Sequence, residues 1–290
     1  RGFESLRGRQ EHPTGRGAGA VERARLEIGY PPKRGIVGSN PTLSARKPTM
    51  RWTDTHCHLN HEQLLPDWET VLFRAHQAGV ERLILIGYDL PSSERAVRLA
   101  EQSSALWAAV GIHPHDATRC TPEALTRLRE LSQHPRVVAI GEIGLDFYHD
   151  LSPREAQYDA LHAQLTLAQE QGLPVVIHCR EAYDPLLDVL KQYPRVRGVL
   201  HCFSGTKAHA ERGLAMGYYL GIGGIITFKN AEALRAVVQT VPRDRLLLET
   251  DAPYLAPHPY RGERNEPAYL PLIAQTVANL WNLALEELSA

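Results

Sequence analysis

The sequence is poor in cysteine and lacks long apolar runs. Its four cysteines in 290 residues are too few for a disulfide framework. No apolar run approaches the ~18 residues that a membrane-spanning helix needs. An apolar secretory segment and an Arg-Arg export signal are also missing. These absences predict a globular protein of the cytoplasm, and an apolar content of 43% is sufficient for a large core.

The chain as a whole has no excess of charge of either sign, since its formal net charge is −1. The charges are nevertheless unevenly distributed. Residues 1–49 contain ten Lys and Arg against four Asp and Glu, which leaves a net charge of −7 for the chain from Met50 onward. Proteins that bind long duplex DNA rely on Lys and Arg to neutralise phosphates. The negative net charge of the chain from Met50 onward therefore disfavours binding along an extended duplex.

Residues 1–49 differ in composition from the rest of the chain. They are rich in Gly, Arg and Pro and have no sustained apolar period, which predicts a disordered extension. Gly2–Ser5 and Val37–Pro41 both back-translate, in different frames, to the GGTTCGANTCC sequence of transfer RNA T-arms. We interpret residues 1–49 as translated upstream sequence and Met50 as the true start. A basic arm that binds nucleic acid is the competing interpretation.

From Met50 onward, eight short apolar strands alternate with eight helices. The fourth predicted strand is Val137–Ile140, and the last predicted helix is Glu266–Glu287. Over roughly 240 residues this rhythm predicts an α/β fold of the (β/α)₈ TIM-barrel type, forming a single domain over residues 50–290. An open doubly wound sheet is the alternative. Only a closed ring would direct the carboxyl ends of strands one, four, five, six and eight at a common centre.

Two histidines one residue apart lie in the first predicted strand. Side chains two residues apart project from the same face of a strand, so His56 and His58 can present two imidazoles to one point, whereas Cys57 faces the other side. An isolated pair of this kind is more typical of a surface loop than of a metal site. Later strand ends add further potential metal ligands, and these are Glu142, His178, His201 and Asp251.

Four imidazoles and two carboxylates exceed what one catalytic zinc ion requires, because three protein ligands and a water suffice. We therefore predict two divalent ions. One would be held by His56, His58 and Asp251 and the other by His178 and His201, with Glu142 shared between them. Two such ions polarise a phosphoryl oxygen and activate a water. The cysteines Cys57, Cys179 and Cys202 are expected to be small apolar fillers that face away from these histidines.

Six motifs in order carry a family resemblance. They are Asp54–Leu59 (DTHCHL), Gly111–His115 (GIHPH), Gly141–Asp146 (GEIGLD), Ile177–Arg180 (IHCR), His201–Gly205 (HCFSG) and Leu247–Tyr254 (LLETDAPY). From Met50 almost to its end the chain resembles the TatD-type metal-dependent deoxyribonucleases of the metallo-dependent hydrolase superfamily. The resemblance implies a barrel with two divalent ions, Mg²⁺, Mn²⁺ or Zn²⁺, that hydrolyses DNA phosphodiesters from the 3′ end. It implies the same six metal ligands.

Other polar groups on the predicted loops are candidates for binding substrate phosphate. Arg180 follows His178 by two residues, so strand alternation directs it towards the same pocket. His113 is a second candidate, and the others are His115, Lys207, Arg261 and Asn265. Asp251 is either a ligand alone or a ligand that also accepts a proton from the attacking water. Asp251 and the shared ligand Glu142 are the predicted catalytic residues.

Two other functions are open from the sequence. An amidohydrolase that cuts a cyclic amide, lactone or ester could use a similar barrel, but such enzymes often bridge their metals with a carboxylated Lys on the fourth strand, where this chain has Glu142. A metal-stabilised binding protein is disfavoured, because structural sites are closed by four protein ligands. The acidic charge favours brief contact with a single-stranded or frayed 3′ end of DNA, with no membrane and no obligate protein partner.

Overall fold

The computed structural model describes residues 50–289, so the predictions for residues 1–49 lie outside the described part of the chain. The strands are β1 (Trp52–Cys57), β2 (Val80–Ile86), β3 (Leu106–Val110), β4 (Val137–Asp146), β5 (Val175–Arg180), β6 (Gly198–Leu200), β7 (Tyr219–Ile222) and β8 (Leu246–Leu248). The helices are α1 (Trp68–Gln77), α2 (Leu90–Gln102), α3 (Pro122–Ser132), α4 (Arg154–Gln171), α5 (Tyr183–Leu190), α6 (Lys207–Ala215), α7 (Glu232–Val238), α8 (Leu270–Leu280) and α9 (Leu285–Leu288). Within residues 50–289, no helix is long and apolar enough to cross a bilayer.

The eight strands form one parallel sheet in sequence order. The segment after β8 returns to β1 through two backbone hydrogen bonds, from Asp251 N–H to His56 O at 2.8 Å and from His58 N–H to Ala252 O at 2.7 Å. These bonds bring the last strand beside the first and close the ring. The predicted (β/α)₈ barrel is confirmed, and the open doubly wound sheet is wrong.

Strand alternation divides the apolar core into two layers. The larger cluster lies between the strands and the helices, and a small one fills the barrel with Ile86, Ala109, Ala139, Val176 and Val199. Polar residues follow two positions later, where His178 succeeds Val176 on β5 and His201 succeeds Val199 just beyond the end of β6. The functional side chains therefore stand directly above the inner apolar layer.

The structure extends β4 beyond its predicted end at Ile140. Ile140 pairs with Val175 and Ile143 with Ile177, so β4 uses one residue more than β5 between the two pairs. This irregularity is a β-bulge, which changes the face to which the following side chains point. The strand is buried almost throughout, but the polar Glu142 and the glycines beside it interrupt the apolar run, so the apolar pattern predicts an end at Ile140 that is too early.

The predicted helix Glu266–Glu287 is also corrected. The segment is a 3-10 turn, then α8 and the short α9. Asn282 has a left-handed φ of 52°, and the N–H of Leu283 donates to Ala278 O at 2.9 Å. A left-handed residue followed by such a bond is a common way to end a helix, and Asn tolerates it better than most residues do.

Candidate metal centre

The carboxyl ends of the strands surround a cavity of about 770 Å³. Of the predicted metal ligands, five line this cavity, and His56 lies wholly buried beside them. Its lining also includes the two predicted substrate-binding residues, His113 and Arg180. The residues that the sequence singled out on separate strands are therefore brought to one place.

Four of the predicted ligands present atoms to a common point. Nε2 of His56 lies 3.2 Å from Nε2 of His58 and 3.6 Å from both Glu142 Oε2 and Asp251 Oδ1. Nε2 of His58 lies 3.3 Å from Asp251 Oδ1 and 3.9 Å from Glu142 Oε2. Ligand atoms about 2.1 Å from one ion, at tetrahedral or octahedral angles, are separated by roughly 3.0–3.4 Å. Two of the five distances fall in this range and the other three are at most about 0.5 Å longer, so small side-chain shifts would let the four groups hold one divalent ion.

The hydrogen bond of His58 supports this fit. Its Nδ1 lies 3.3 Å from the carbonyl oxygen of Ile86, which can only accept a hydrogen bond. In neutral His58 the proton therefore belongs on Nδ1, and the lone pair of Nε2 faces the cluster. An imidazole oriented by a backbone carbonyl in this way is a common metal ligand.

Glu142 occupies the centre of the group. The β4 bulge directs its side chain into the cavity, where Oε2 faces His56 while Oε1 lies 2.9 Å from Nδ1 of His178 and 3.6 Å from Nε2 of His113. Burial alone would raise the pKa of this carboxyl, but the neighbouring histidines outweigh burial and hold the pKa well below its ordinary value. Glu142 is thus an ionised carboxylate with one oxygen towards each side of the cavity.

The two histidines assigned to the second ion, His178 and His201, do not face one common point as the first four ligands do. Nε2 of His201 lies 3.9 Å from Glu142 Oε1 and 3.8 Å from Asp251 Oδ1, so it faces both carboxylates. His178 instead contacts Glu142 through Nδ1 and Asp146 through Nε2. Among residues 50–289, no group of mutually close ligand atoms contains both of these histidines. The sharing of Glu142 and the allocation of ligands to two ions stay predictions.

Two buried carboxylates that the sequence analysis did not select orient these histidines. Oδ2 of Asp146 lies 3.1 Å from Nε2 of His178 and 2.8 Å from Nε2 of His115. Oε1 of Glu249 lies 2.9 Å from Nδ1 of His201, although this nitrogen falls short of good hydrogen-bond alignment. Burial opposes a charged imidazole, but Glu249, Asp251 and Glu142 outweigh it and raise the pKa of His201 to about 10.

A signal for Glu249 was present in the sequence. Leu247 packs against the inner apolar cluster, and strand alternation from it reaches Glu249 and then Asp251. Along β4, strand alternation from Ala139 leads to Gly141 and not to Glu142, because the bulge between Ile140 and Ile143 shifts the alternation. Asp146 could therefore not be assigned to the cavity from the pattern.

The predicted substrate-binding residues divide into two groups. His113 and Arg180 line the cavity, as does His115. Asn265 is completely buried, where its Nδ2 donates to the carbonyl oxygens of Thr250 and Tyr254, so its role as a phosphate contact is wrong. The remaining candidates, Lys207 and Arg261, are not among the residues that line the cavity.

Of the three cysteines predicted to face away from the histidines, only Cys57 is both buried and absent from the cavity lining. Cys57 and Cys179 are buried, as expected of small fillers, although part of Cys179 borders the cavity. Cys202 lies in the cavity lining, close to His201 and Asp251, which corrects the prediction that it faces away. Burial and the surrounding carboxylates raise the pKa of the Cys202 thiol well above its ordinary value, which disfavours a thiolate ligand.

Comparisons with known proteins agree with this arrangement. The family model described as TatD related DNase matches residues 53–290. An uncharacterized metal-dependent hydrolase, YabD of Bacillus subtilis, is 44% identical over 239 residues, which cover 82% of this chain and 94% of the relative. The 3′-5′ ssDNA/RNA exonuclease TatD of Erwinia amylovora is 42% identical over 245 residues, covering 82% and 95%.

Solved structures share the same fold. The TatD homolog YJJV of Escherichia coli superimposes with a TM-score of 0.79 at 36% identity, and the match covers 83% of this chain and 94% of that one. A TatD family hydrolase of Entamoeba histolytica gives a TM-score of 0.76 at 25% identity, with 83% and 94% covered. Sequence and structure thus point to the same group of proteins.

Proposed function

This chain belongs to the TatD-related DNase family, and we propose that it is a metal-dependent 3′-5′ exonuclease that hydrolyses the phosphodiester bonds of single-stranded DNA or RNA. The single observation that carries the proposal is the cluster of predicted ligands at the top of the barrel. In it, two ionised carboxylates lie within 4 Å of histidines from three strands or strand ends.

Bound divalent ions would supply Lewis acidity, polarising a phosphoryl oxygen and lowering the pKa of a water. We propose His56, His58, Glu142 and Asp251 as ligands of one ion, and Glu142, His178 and His201 as ligands of a second. Imidazole donors suit Zn²⁺, and carboxylate donors suit Mg²⁺ and Mn²⁺, so all three ions are tested below. The shared carboxylate and the number of histidines favour two ions over one.

Asp251 is the proposed proton acceptor. Burial would raise the pKa of this carboxyl, but His58, His201 and His56 lower it below its ordinary value, so the group is ionised near neutral pH. Its Oδ1 faces the cluster, where it can take a proton from an attacking water.

His113 and Arg180 are the proposed contacts to the substrate phosphate. The backbone N–H of His115 donates to Nδ1 of His113 at 3.1 Å, which leaves the proton of the neutral ring on Nε2. Burial and the nearby His178 lower the pKa of His113 well below its ordinary value, so the ring is neutral. His113 therefore offers an N–H to the cavity, while Arg180 adds a positive charge at its mouth.

The alternative of an amidohydrolase is not favoured. The relative from Erwinia amylovora is named a nuclease, and a carboxylated lysine bridge needs a lysine that β4 (Val137–Asp146) does not contain. Glu142 occupies the position from which such a bridge would come. Phosphodiester hydrolysis therefore accounts for the same cluster without a modified residue.

Purified protein should be assayed with Mg²⁺, Mn²⁺ or Zn²⁺ against end-labelled single- and double-stranded DNA and single-stranded RNA, beside lactone and dipeptide substrates. We expect stepwise shortening of 5′-labelled single strands, loss of activity in EDTA and recovery on adding metal. Hydrolysis of a lactone or dipeptide without cleavage of any nucleic acid would overturn the proposal. Stepwise shortening seen only with 3′-labelled strands would show that degradation proceeds from the 5′ end.

A further inference from the structure

Most of the large exposed apolar side chains in the described part of the chain lie in the loops that follow β4 and β8, where Tyr254 and Leu255 line the cavity and Tyr148 lies next to the lining residue His149. Of the five large ones in residues 50–289, Tyr148 and Leu151 follow β4, and Tyr254 and Leu255 follow β8; Phe73 on α1 is the exception. In a ring of eight strands in sequence order, β4 and β8 stand opposite each other. Apolar groups thus flank the candidate metal centre on two sides.

Tyr254 is held in place beside the candidate metal ligands. Its N–H donates to Asp251 O at 2.8 Å, and Asn265 Nδ2 donates to its carbonyl oxygen at 2.6 Å. Its hydroxyl lies 3.1 Å from Nε2 of His61, and its ring centroid lies 5.9 Å from that of His58. With its backbone and hydroxyl both fixed, Tyr254 is still 44% exposed. This aromatic ring is therefore positioned in advance at the edge of the site.

Tyr148, which follows β4 on the side of the barrel opposite Tyr254, is also held by its backbone. Its N–H donates to Oδ1 of Asp146 at 3.0 Å, which ties it to the carboxylate that orients His178. The guanidinium of Arg180 lies over its ring at 4.2 Å from the centroid. Tyr148 is 54% exposed. The side chain thus combines an accessible aromatic surface with a cation at the cavity mouth.

The mouth offers few positive charges for a polyanion. In the part of the chain that the structure describes, Arg180 is the only Lys or Arg that lines the cavity. Proteins that bind single strands combine backbone contacts with stacking of bases on aromatic side chains. With so little cationic surface, aromatic stacking is the remaining source of affinity for an unpaired strand.

We propose that Tyr254 and Tyr148 are stacking platforms for the unpaired nucleobases on the two sides of the scissile phosphate. This inference rests on the proposed function and specifies how its substrate is held. Bases in a duplex have their faces covered by neighbouring pairs, so only unpaired bases at a strand end can use both platforms. The acceptance of both DNA and RNA follows, because every base has an aromatic face and stacking ignores the sugar.

The test compares Tyr254→Ala and Tyr148→Ala with the parent on a single-stranded oligonucleotide and on the same oligonucleotide with abasic residues at its 3′ end. Loss of a stacked base corresponds to roughly five- to 150-fold weaker binding. We expect each alanine variant to raise KM about tenfold or more on the normal strand, with kcat little changed. On the abasic strand each variant should match the parent.

Two control variants separate stacking from other effects. Tyr254→Phe keeps the ring and loses only the contact with His61, so it should stay within about twofold of the parent KM. Phe73→Ala removes an aromatic side chain that is 62% exposed but lies on α1, and it should have no effect. Metal content should be unchanged in all four variants, since none of these side chains is a proposed ligand, and melting temperature should change little, because all three side chains are exposed.

The outcomes distinguish this inference from the proposed function. Suppose that the parent cleaves the oligonucleotide. Stacking is overturned if the alanine variants have the KM of Phe73→Ala, or if their KM rises as much on abasic strands as on normal ones. The exonuclease proposal survives in both cases. If the parent cleaves no nucleic acid with any of the metals, both proposals fail.

Discussion

At the scale of single residues, buried carboxylates determine how the histidines of the site are oriented. Asp146 lies against His178, and Glu249 lies against His201, and both carboxylates are completely buried. A carboxylate behind a ligating histidine fixes the ring and increases its basicity. These two side chains are therefore expected to support metal binding without touching the metal.

We predict that Glu249→Gln weakens binding of one divalent ion about ten- to 100-fold, as is typical when such a partner is removed. Glutamine retains the size of the side chain but not its charge. The measurement is a titration with Mn²⁺ or Zn²⁺ by calorimetry. The matched control is Glu101→Gln, which alters a surface carboxylate 3.1 Å from His134. Equal affinities in the two variants would contradict the orienting role.

Strand alternation made most of the site predictable at this scale. It placed His56 and His58 on one face and directed Arg180 to the same side as His178. It did not give Asp146, because the bulge in β4 shifts the alternation. Nor did it show that Asn265 is buried, since a polar residue in a loop gives no sign of the carbonyl groups it will bond.

At the scale of elements, β4 and β5 approach closely at Gly144. This residue has a φ of +153°, and a Cβ built on it would lie 1.9 Å from the carbonyl oxygen of His178. The contact joins the strand that carries Glu142 to the strand that carries His178. Any side chain at position 144 must push the two strands apart.

We predict that Gly144→Ala lowers the free energy of unfolding by about 2–4 kcal/mol, because overpacking displaces backbone. Urea unfolding followed by circular dichroism measures the change. Gly172→Ala is the control: its Cβ would meet nothing within 4 Å, and only its left-handed φ of +66° opposes alanine, at a cost of about 1–2 kcal/mol. If Gly144→Ala loses no more free energy of unfolding than Gly172→Ala, the two strands can separate without cost and the prediction is wrong.

The order and type of the elements followed from the sequence, whereas some bounds did not. Asp89 and Thr121 accept hydrogen bonds from the first turns of α2 and α3, as their residue types favour. The last helix was predicted too long, because the apolar period continues through Trp281 although Asn282 turns left-handed. Helix ends depend on such local dihedrals more than on the apolar pattern.

At the scale of the whole molecule, the charge of the chain from Met50 onward limits how it binds a polyanion. Its net charge of −7 leaves few cations for phosphates, and Arg180 is the one found in the cavity lining of the described residues. The strength of binding should therefore depend on contacts at a strand end rather than along a duplex.

We predict a shallow dependence of nucleic-acid binding on salt. Fewer than about three phosphate contacts correspond to a slope of log K against log salt shallower than about −2 for a single strand. Fluorescence anisotropy of a labelled oligonucleotide in EDTA provides the slope. A slope near −5, or efficient cleavage of closed duplex circles, would disprove binding at strand ends.

We predict that a protein lacking residues 1–49 has the same metal content, melting temperature and activity as the full chain. The family match begins at residue 53, and all six proposed ligands lie beyond that point. Side-by-side thermal unfolding and nuclease assays provide the comparison. Loss of folding or of hydrolysis on deletion would show that these residues are part of the functional protein.

The proposed sharing of Glu142 by two ions can be tested by measuring metal content together with the rate of hydrolysis. Glu142→Gln keeps the shape of the side chain but removes the charge that offsets two nearby cations. We expect metal content by elemental analysis to fall at both sites and hydrolysis to fall by several orders of magnitude. His201→Ala should instead lose mainly one ion. If Glu142→Gln retains two ions per chain and turnover close to that of the parent, the two-metal account is contradicted.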